Sequence, residues 1–231
     1  MASRILFVAL LLVLCPPVLA DKIAIIGTGN VAKALGPEFA AQGNTVIYGS
    51  RSPDGQKAQE LVKVSGDGAR AISPSAAVIG ADIVVLAVPG MLVEEIVKSL
   101  GNLSGKIIID PTNPLVPGND GEMQYGVETS NGEIVQAAAP SAFVVKAFNT
   151  LYWRTMVDPD TSGGPTSVPI VGNDEAAKER VAELVTGMGL HAIDVGMIED
   201  AHWVEGMLIL WIKNRLGDRP TFDFYLREIS D

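Results

Sequence analysis

The sequence predicts an α/β protein built on a doubly wound, mainly parallel sheet, with a small α/β extension at its C-terminal end. Three observations carry this. Short apolar runs rich in β-branched residues, at 22–26, 82–88 and 106–110, alternate with segments of helical period, which calls for parallel strands joined by right-handed crossovers. The first run leads straight into Gly27-Thr28-Gly29-Asn30-Val31-Ala32, a G-x-G-x-x-A spacing that follows a strand and opens a helix. The 231 residues are 48% hydrophobic and 19% charged, enough for one substantial core and a small appendage. The expected boundaries are a leader at 1–20, a nucleotide-binding body at 21–157 and an extension at 158–231 packed on the same body.

The glycine turn has a physical logic at each position. Gly27 permits the tight turn, Gly29 lets the backbone approach a pyrophosphate, and the small Ala32 lets helix and strand pack closely. Phosphates then rest on free N–H groups at the positive end of the helix, which begins at about Asn30. This is the signature of a Rossmann-type dinucleotide site. The helix buries Val31, Leu35 and Phe39 at spacing four and ends at Gly43, with a kink expected at Pro37.

Composition excludes several classes. A net charge of −10 argues against nucleic-acid binding, which needs a basic face. The single cysteine, Cys15, lies in the leader, which leaves no thiol nucleophile, disulfide or thiolate metal site in the body. With only two histidines, His191 and His202, no metal cluster and no imidazole catalyst is expected, and both read as surface residues.

Residues 1–20 have the layout of a secretory signal peptide. Arg4 precedes an apolar run from Ile5 to Leu14, and Val18 and Ala20 occupy the small-residue positions before a cut. The run is too short for a membrane span, so no span remains once the leader is removed. The alternative is a cytoplasmic enzyme with an upstream extension, but the next methionine is Met91, beyond the glycine turn.

A second strand at 45–48 ends in Gly49-Ser50-Arg51-Ser52, where an NAD-binding chain would carry an acidic residue for the ribose hydroxyls. A hydroxyl and a guanidinium suit the 2′-phosphate of NADP instead, with Lys57 as a further donor. Helices at 54–64, 73–79 and 91–100 and a short strand at 69–72 complete the first half. Ligands of such sheets bind at the carboxyl ends of the strands, so Val88, Pro89, Pro111, Thr112, Asn113 and Pro114 belong to the cofactor side. Asp110, followed by proline, reads as a turn residue. The segment 115–129 has few apolar residues and is expected to be a mobile loop, a lid over the crevice.

Ser130 and Glu133 form a capping-box pattern before the next helix. A strand at 143–146 ends in Ala147-Phe148-Asn149-Thr150, again at the crevice. The polar stretch 158–167 leads to strands at 168–171 and 191–195, with a helix begun by Asp174 between them, and to a last helix from about Asp200. That helix is apolar all round over Met207–Ile212, which predicts burial against the sheet or against a second copy in a homodimer. Trp203 and Trp211 read as core residues.

Five segments in order carry a family resemblance: Gly-Thr-Gly-Asn-Val-Ala at 27–32, Tyr-Gly-Ser-Arg at 48–51, Asp-Ile-Val-Val-Leu-Ala-Val-Pro at 82–89, Val-Val-Lys-Ala-Phe-Asn-Thr at 144–150 and Val-Pro-Ile-Val-Gly-Asn-Asp at 168–174. Together they resemble the NADP oxidoreductases that depend on the deazaflavin coenzyme, factor 420, and the cytosolic oxidoreductase domain of the six-transmembrane STEAP metalloreductases. The resemblance covers almost all of 22–216. It implies NADPH binding through Thr28, Gly29, Asn30, Val31, Ser50 and Arg51, with the nicotinamide near Val88, Pro89, Asn113 and Ala147. The deazaflavin enzymes carry a histidine where this chain has Asn149, whereas Lys-Ala-Phe-Asn is the form of the flavin-using metalloreductase branch. The chain lacks the six membrane helices of those proteins, so their whole reaction is not expected of it alone.

The resulting expectation is an NADPH-dependent oxidoreductase that passes hydride between NADP(H) and a small-molecule redox coenzyme: FAD, FMN or deazaflavin. Such a transfer needs two rings held close with water excluded, and no nucleophile or acid–base pair. A crevice lined by Val88, Pro89, Ala147 and Phe148, with amides and hydroxyls for orientation, meets that need without a catalytic residue or a metal. The alternatives are an imine or pyrroline-carboxylate reductase, whose long all-helical C-terminal domain this chain does not match, and a non-catalytic NADPH-binding redox sensor.

Two measurements test these expectations. Arg51→Ala weakens NADPH binding about ten- to a hundredfold and leaves NADH nearly unchanged, as loss of a charge-assisted bond to the 2′-phosphate requires; equal losses would remove Arg51 from the phosphate site. Intact mass of protein from its native cells starts at Asp21 if the leader is cut, with Asn102, in the sequon Asn102-Leu103-Ser104, open to glycosylation.

Overall fold

The computed structural model describes residues 20–119, 121–163, 165–216 and 222–229, so the leader up to residue 19 lies outside the described residues. In chain order the elements of the first half are β1 (Lys22–Ile26), α1 (Asn30–Ala41), β2 (Thr45–Gly49), α2 (Gln56–Ser65), β3 (Arg70–Ile72), α3 (Pro74–Val78), β4 (Ile83–Leu86), α4 (Val93–Ser99) and β5 (Ile107–Asp110). The second half adds β6 (Leu115–Pro117), β7 (Met123–Tyr125), α5 (Asn131–Ala138), β8 (Phe143–Lys146), α6 (Trp153–Val157), β9 (Ser167–Gly172), α7 (Glu175–Gly187), β10 (His191–Gly196) and α8 (Ala201–Leu216).

Eight strands form one sheet in the order β10-β9-β8-β5-β4-β1-β2-β3, and every pairing is parallel except β8 with β9. The central strands are buried on both faces, which is why β1 and β4 read as continuous apolar runs. Leu35 and Phe39 of α1, Met156 of α6 and Val181 and Leu184 of α7 pack on one face. Ala77 of α3, Val97 of α4, Val135 of α5 and Val204 of α8 pack on the other. Helix α1 runs on through Pro37 and passes close over β2, where a Cβ on Gly36 would fall 1.9 Å from the buried Tyr48 hydroxyl. That hydroxyl shares a 2.6 Å hydrogen bond with Ser65 Oγ on α2.

Two expectations need correction. The described residues of 115–129 hold an antiparallel hairpin, β6 with β7, where a loop without strands was expected. Its turn is closed by Gly118 N–H to the Glu122 carbonyl (2.7 Å), and its far end is tied to α8 through Tyr125 and a Lys213–Glu122 ion pair (2.8 Å). Trp203 is 72% exposed instead of core. Helix α8 buries only the stripe Ala201, Val204, Glu205, Leu208 and Trp211, while Leu210 is 57% exposed. The apolar run is thus wider than the face that the protein itself covers. Trp211 is buried, its indole N–H donating to Asp223 Oδ1 (2.9 Å).

The close approach at Gly36 sets a stability test. Gly36→Ala forces Tyr48 or α1 to move and costs about 1–3 kcal/mol, the usual penalty for overpacking. Urea unfolding checks it: the midpoint falls at unchanged slope, whereas an unshifted midpoint would mean that Tyr48 does not pack beneath Gly36.

Candidate active site

The carboxyl ends of β1, β2, β4, β5 and β8 converge on a crevice, and each loop there is held by a specific constraint. Gly27 has φ +115°, and a Cβ on it would fall 2.1 Å from the Ala87 carbonyl oxygen, so only glycine lets the β1 turn pass the end of β4. Its N–H donates to the Gly49 carbonyl (2.9 Å), which fixes the turn against β2. Gly29 is the extended N-cap of α1, no side chain caps the helix, and nothing lies within 4 Å of where its Cβ would be. The first N–H groups of α1 therefore face open space beside an exposed backbone, a cradle that fits the pyrophosphate of a dinucleotide. Thr28 and Val31 are half-buried and Asn30 is exposed at the mouth of this cradle.

At the end of β2, Ser50 is buried and its Oγ accepts the Ser52 N–H (3.1 Å), which leaves the hydroxyl proton free to donate. Arg51 and Lys57 are exposed beside it. Toward the other end, half-buried Val88 and exposed Pro89 follow β4. A Cβ on Gly90 would fall 2.0 Å from the Asn113 carbonyl oxygen, so the loops after β4 and β5 touch directly. Asn131 at the start of α5 bridges them, donating from Nδ2 to the Gly90 carbonyl (3.1 Å) and to Thr112 Oγ1 (2.8 Å).

Asn113 and Asn149 face one another across the ends of β5 and β8. Asn149 Nδ2 donates to Asn113 Oδ1 (3.0 Å) and to the Val204 carbonyl (3.2 Å), and Asn113 Nδ2 donates to the Asn149 carbonyl (3.0 Å). Acceptors on both sides of Asn149 Nδ2 fix which way its amide points. Asn149 Oδ1 is left as the one buried side-chain polar atom among the described residues without a partner. A buried unpaired carbonyl is costly, which marks it as a socket for an N–H donor. Both donors of this amide are used, so it offers a ligand an acceptor only.

Ala147 and Phe148 depart from their expected role. Neither has accessible surface, and the Phe148 ring packs edge-on against Phe39 at 6.2 Å inside the core beneath α1. Phe148 is also the only non-glycine described residue with positive φ, +64°. The chain turns sharply there, sending Phe148 into the core and Asn149 toward Asn113.

Beneath this surface lies a charged cluster that the sequence reading missed. Lys146, the last residue of β8, is fully buried, and its ammonium donates to Asp110 Oδ2 (2.7 Å) and the Thr112 carbonyl (2.7 Å) and pairs with Glu205 Oε1 of α8 (2.5 Å). Asp110 and Glu205 are equally inaccessible. Asp110 Oδ1 also accepts the Thr112 N–H (2.9 Å), so its turn role is real but partial. Glu205 takes the N–H groups of Asn131 and Gly132 at the positive end of α5 (both 3.1 Å) and the Tyr125 hydroxyl (2.7 Å). Burial, and next the carboxylate beside it, push the Tyr125 phenol far above its ordinary range, so it remains a donor. A lysine closing an apolar strand and a glutamate inside an apolar helix were the signal, because such charges are almost never buried unpaired.

His191 is exposed, and His202 is half-buried with Nδ1 2.8 Å from the Thr129 carbonyl, away from these loops. Among the described residues no group of three or more acidic, histidine or cysteine side chains is placed to hold a metal, and no helix is long and apolar enough to cross a membrane.

A doubly wound sheet with an uncapped glycine-turn helix at its carboxyl edge is the arrangement of a dinucleotide-binding protein. The comparisons with known proteins narrow this. Residues 22–114 match the family model described as NADP oxidoreductase, coenzyme F420-dependent. The crystal structure of a candidate F420-dependent NADP reductase from Arthrobacter sp. FB24 is 32% identical, superposes with a TM-score of 0.81, and is matched over 90% of this chain and 100% of that one. The F420-dependent NADP reductase of Methanothermobacter thermautotrophicus is 29% identical over 219 residues, covering 87% of this chain and 92% of its own length. Metalloreductase STEAP3 of Rattus norvegicus is 28% identical over 189 residues, 81% of this chain, but the chain spans only 36% of that relative. The chain belongs to the F420-dependent NADP oxidoreductase family.

The cluster beneath the crevice yields a test. Lys146→Met strands two buried carboxylates and costs about 3–5 kcal/mol, whereas adding Asp110→Asn and Glu205→Gln to it recovers part of the loss. Denaturant unfolding of the single and triple variants checks this; a single variant as stable as the natural protein would show that the ammonium is not required.

Proposed function

We propose that the protein transfers hydride between NADP(H) and a flavin or deazaflavin ring. Supporting this reading most directly is the Asn113–Asn149 amide pair, which holds one free buried acceptor at the ends of β5 and β8. Around it, the loops at 87–90, 111–114 and 147–151 carry no carboxylate, imidazole or thiol. Hydride transfer between rings needs orientation and exclusion of water rather than proton transfer by side chains.

In this reading Gly27, Thr28, Gly29, Asn30 and Val31 hold the pyrophosphate at the start of α1, and Ser50, Arg51 and Lys57 take the 2′-phosphate. Val88, Pro89 and Asn113 border the nicotinamide. When bound, NADPH supplies the hydride. Asn149 Oδ1 accepts an N–H of the second ring, and Asn113 fixes that oxygen in place. The bulk of Phe148 beneath the turn keeps Asn149 from retreating into the core. Asn149 falls where the resemblance separates the flavin-using from the deazaflavin-using branch, so FMN or FAD is expected to accept hydride at least as well as deazaflavin.

Steady-state NADPH oxidation with FMN and with deazaflavin tests the assignment. Asn149→His should shift the ratio of kcat/KM values toward deazaflavin, because imidazole offers its donor and acceptor in a different geometry. A natural protein that strongly prefers deazaflavin, with a ratio unmoved by the substitution, would remove Asn149 from ring recognition.

A further inference from the structure

Next to the crevice, four elements bring cations and rings together. Tyr152 and Trp153 follow Asn149 by three and four residues, and their ring centroids lie 5.7 Å apart. Trp211, two turns beyond Val204 on α8, approaches Tyr152 at 6.1 Å with its plane tilted by 30°. Over these rings sit three positive groups: Arg215 Cζ lies 4.7 Å from the Tyr152 centroid and 5.1 Å from that of Trp211, Arg154 Cζ lies 5.0 Å from Trp153, and Lys33 Nζ of α1 lies 6.0 Å from Trp153. All three cations are exposed, and none forms an ion pair with an acidic side chain among the described residues.

That arrangement is unexpected in a chain with 27 acidic and 17 basic residues. Cation–π contacts fix where the guanidinium groups sit while leaving their N–H edges unspent. Planar donor edges held in place beside a ring-binding crevice suit a phosphate, which takes several charge-assisted bonds at once. The location separates Arg154 and Arg215 from the 2′-phosphate site of the cofactor, while Lys33 lies on the first turn of α1, whose start takes the pyrophosphate. Ser50 and Arg51 lie at the end of β2, whereas Tyr152 and Trp153 follow β8, four strands away in the sheet order. Arg215 belongs to α8, whose Val204 carbonyl already binds Asn149, so the same helix touches the proposed ring socket and carries a cation outward from it.

We propose that Arg154 and Arg215, with Lys33 beside them, form an anion seat for the phosphate on the tail of the hydride acceptor, so that the protein selects phosphorylated ring coenzymes over the bare ring. This rests on the hydride-transfer reading above for the identity of the ring, but the seat itself is tested by binding. FMN and riboflavin share one ring and differ by one phosphate. With NADP⁺ present, quenching of tryptophan fluorescence in the full chain should report FMN binding about ten- to a hundredfold tighter than riboflavin, the range expected for charge-assisted bonds. In the R154Q/R215Q double variant that ratio should fall close to one, with the KM for FMN in NADPH oxidation rising in parallel and the KM for NADPH unchanged.

Equal affinity for FMN and riboflavin in the natural protein, or a preference that survives the double substitution, would overturn the seat. A loss that appears in NADPH affinity instead would assign the arginines to the cofactor's own phosphates and overturn it equally. Phosphate-selective binding without any hydride transfer would sink the hydride-transfer reading and leave the seat standing. Hydride transfer with no phosphate preference would do the reverse.

Discussion

Lys146 places an ammonium at the end of a central strand where no water reaches it, and the cost of desolvating such an ion is several kcal/mol unless partners surround it. The partners come from three separate parts of the chain. Asp110 closes β5, the Thr112 carbonyl belongs to the loop beyond it, and Glu205 arrives from α8. Two carboxylates against one ammonium leave an excess of negative charge, and the N–H groups at the start of α5 together with the Tyr125 hydroxyl offset it. Satisfying one buried charge thus fixes the mutual position of β5, β8, α5, α8 and the β6–β7 hairpin. Strands β6 and β7 find their place through this cluster, despite the polar composition around them.

The crevice inherits its geometry from that cluster. Thr112 is held on its N–H, its carbonyl and its hydroxyl, and Asn113 follows it immediately. Asn149 follows Lys146 by three residues, through a turn whose strain is concentrated at Phe148. The two amides meet because both strand ends are tied to the same ammonium. A binding surface made of neutral amides and backbone therefore stands on a charged base, with the charges locked by their own partners and none of them at the surface. Such a foundation gives rigidity to the loops that it carries.

The C-terminal segment joins this body instead of standing apart from it. Strand β9 reverses direction beside β8, and β10 then runs parallel to β9, so the sheet is extended beyond the strand that ends in Lys146. Helix α8 starts among side chains of one helical layer, lends Val204 and Glu205 to the carboxyl edge, and reaches Tyr152 ahead of α6 on the other layer. Its inner stripe is used almost residue by residue. Trp203 and Leu210 on the other side remain exposed.

Several features were legible in the sequence because they are local. The apolar runs, the glycine turn with Gly27 and Gly29, the Ser130 and Asp174 helix starts and the positions of the eight strands of the main sheet depend on residue types a few positions apart. Periodicity and turn chemistry report such things directly. What the sequence did not disclose was every feature set by groups far apart in the chain: the antiparallel entry of β9, the hairpin bound to α8, the inward turn of Phe148, the exposure of Trp203 and the union of Asp110, Lys146 and Glu205. An apolar stretch states that a face wants cover but not which face finds it. A charged residue in an apolar element states that it needs a partner but not which one. By itself the sequence determined a parallel α/β body with a phosphate turn; tertiary structure alone decided how the loops above it are braced, because the charges that brace them meet only when strands β5 and β8 lie side by side and α8 folds back over their ends.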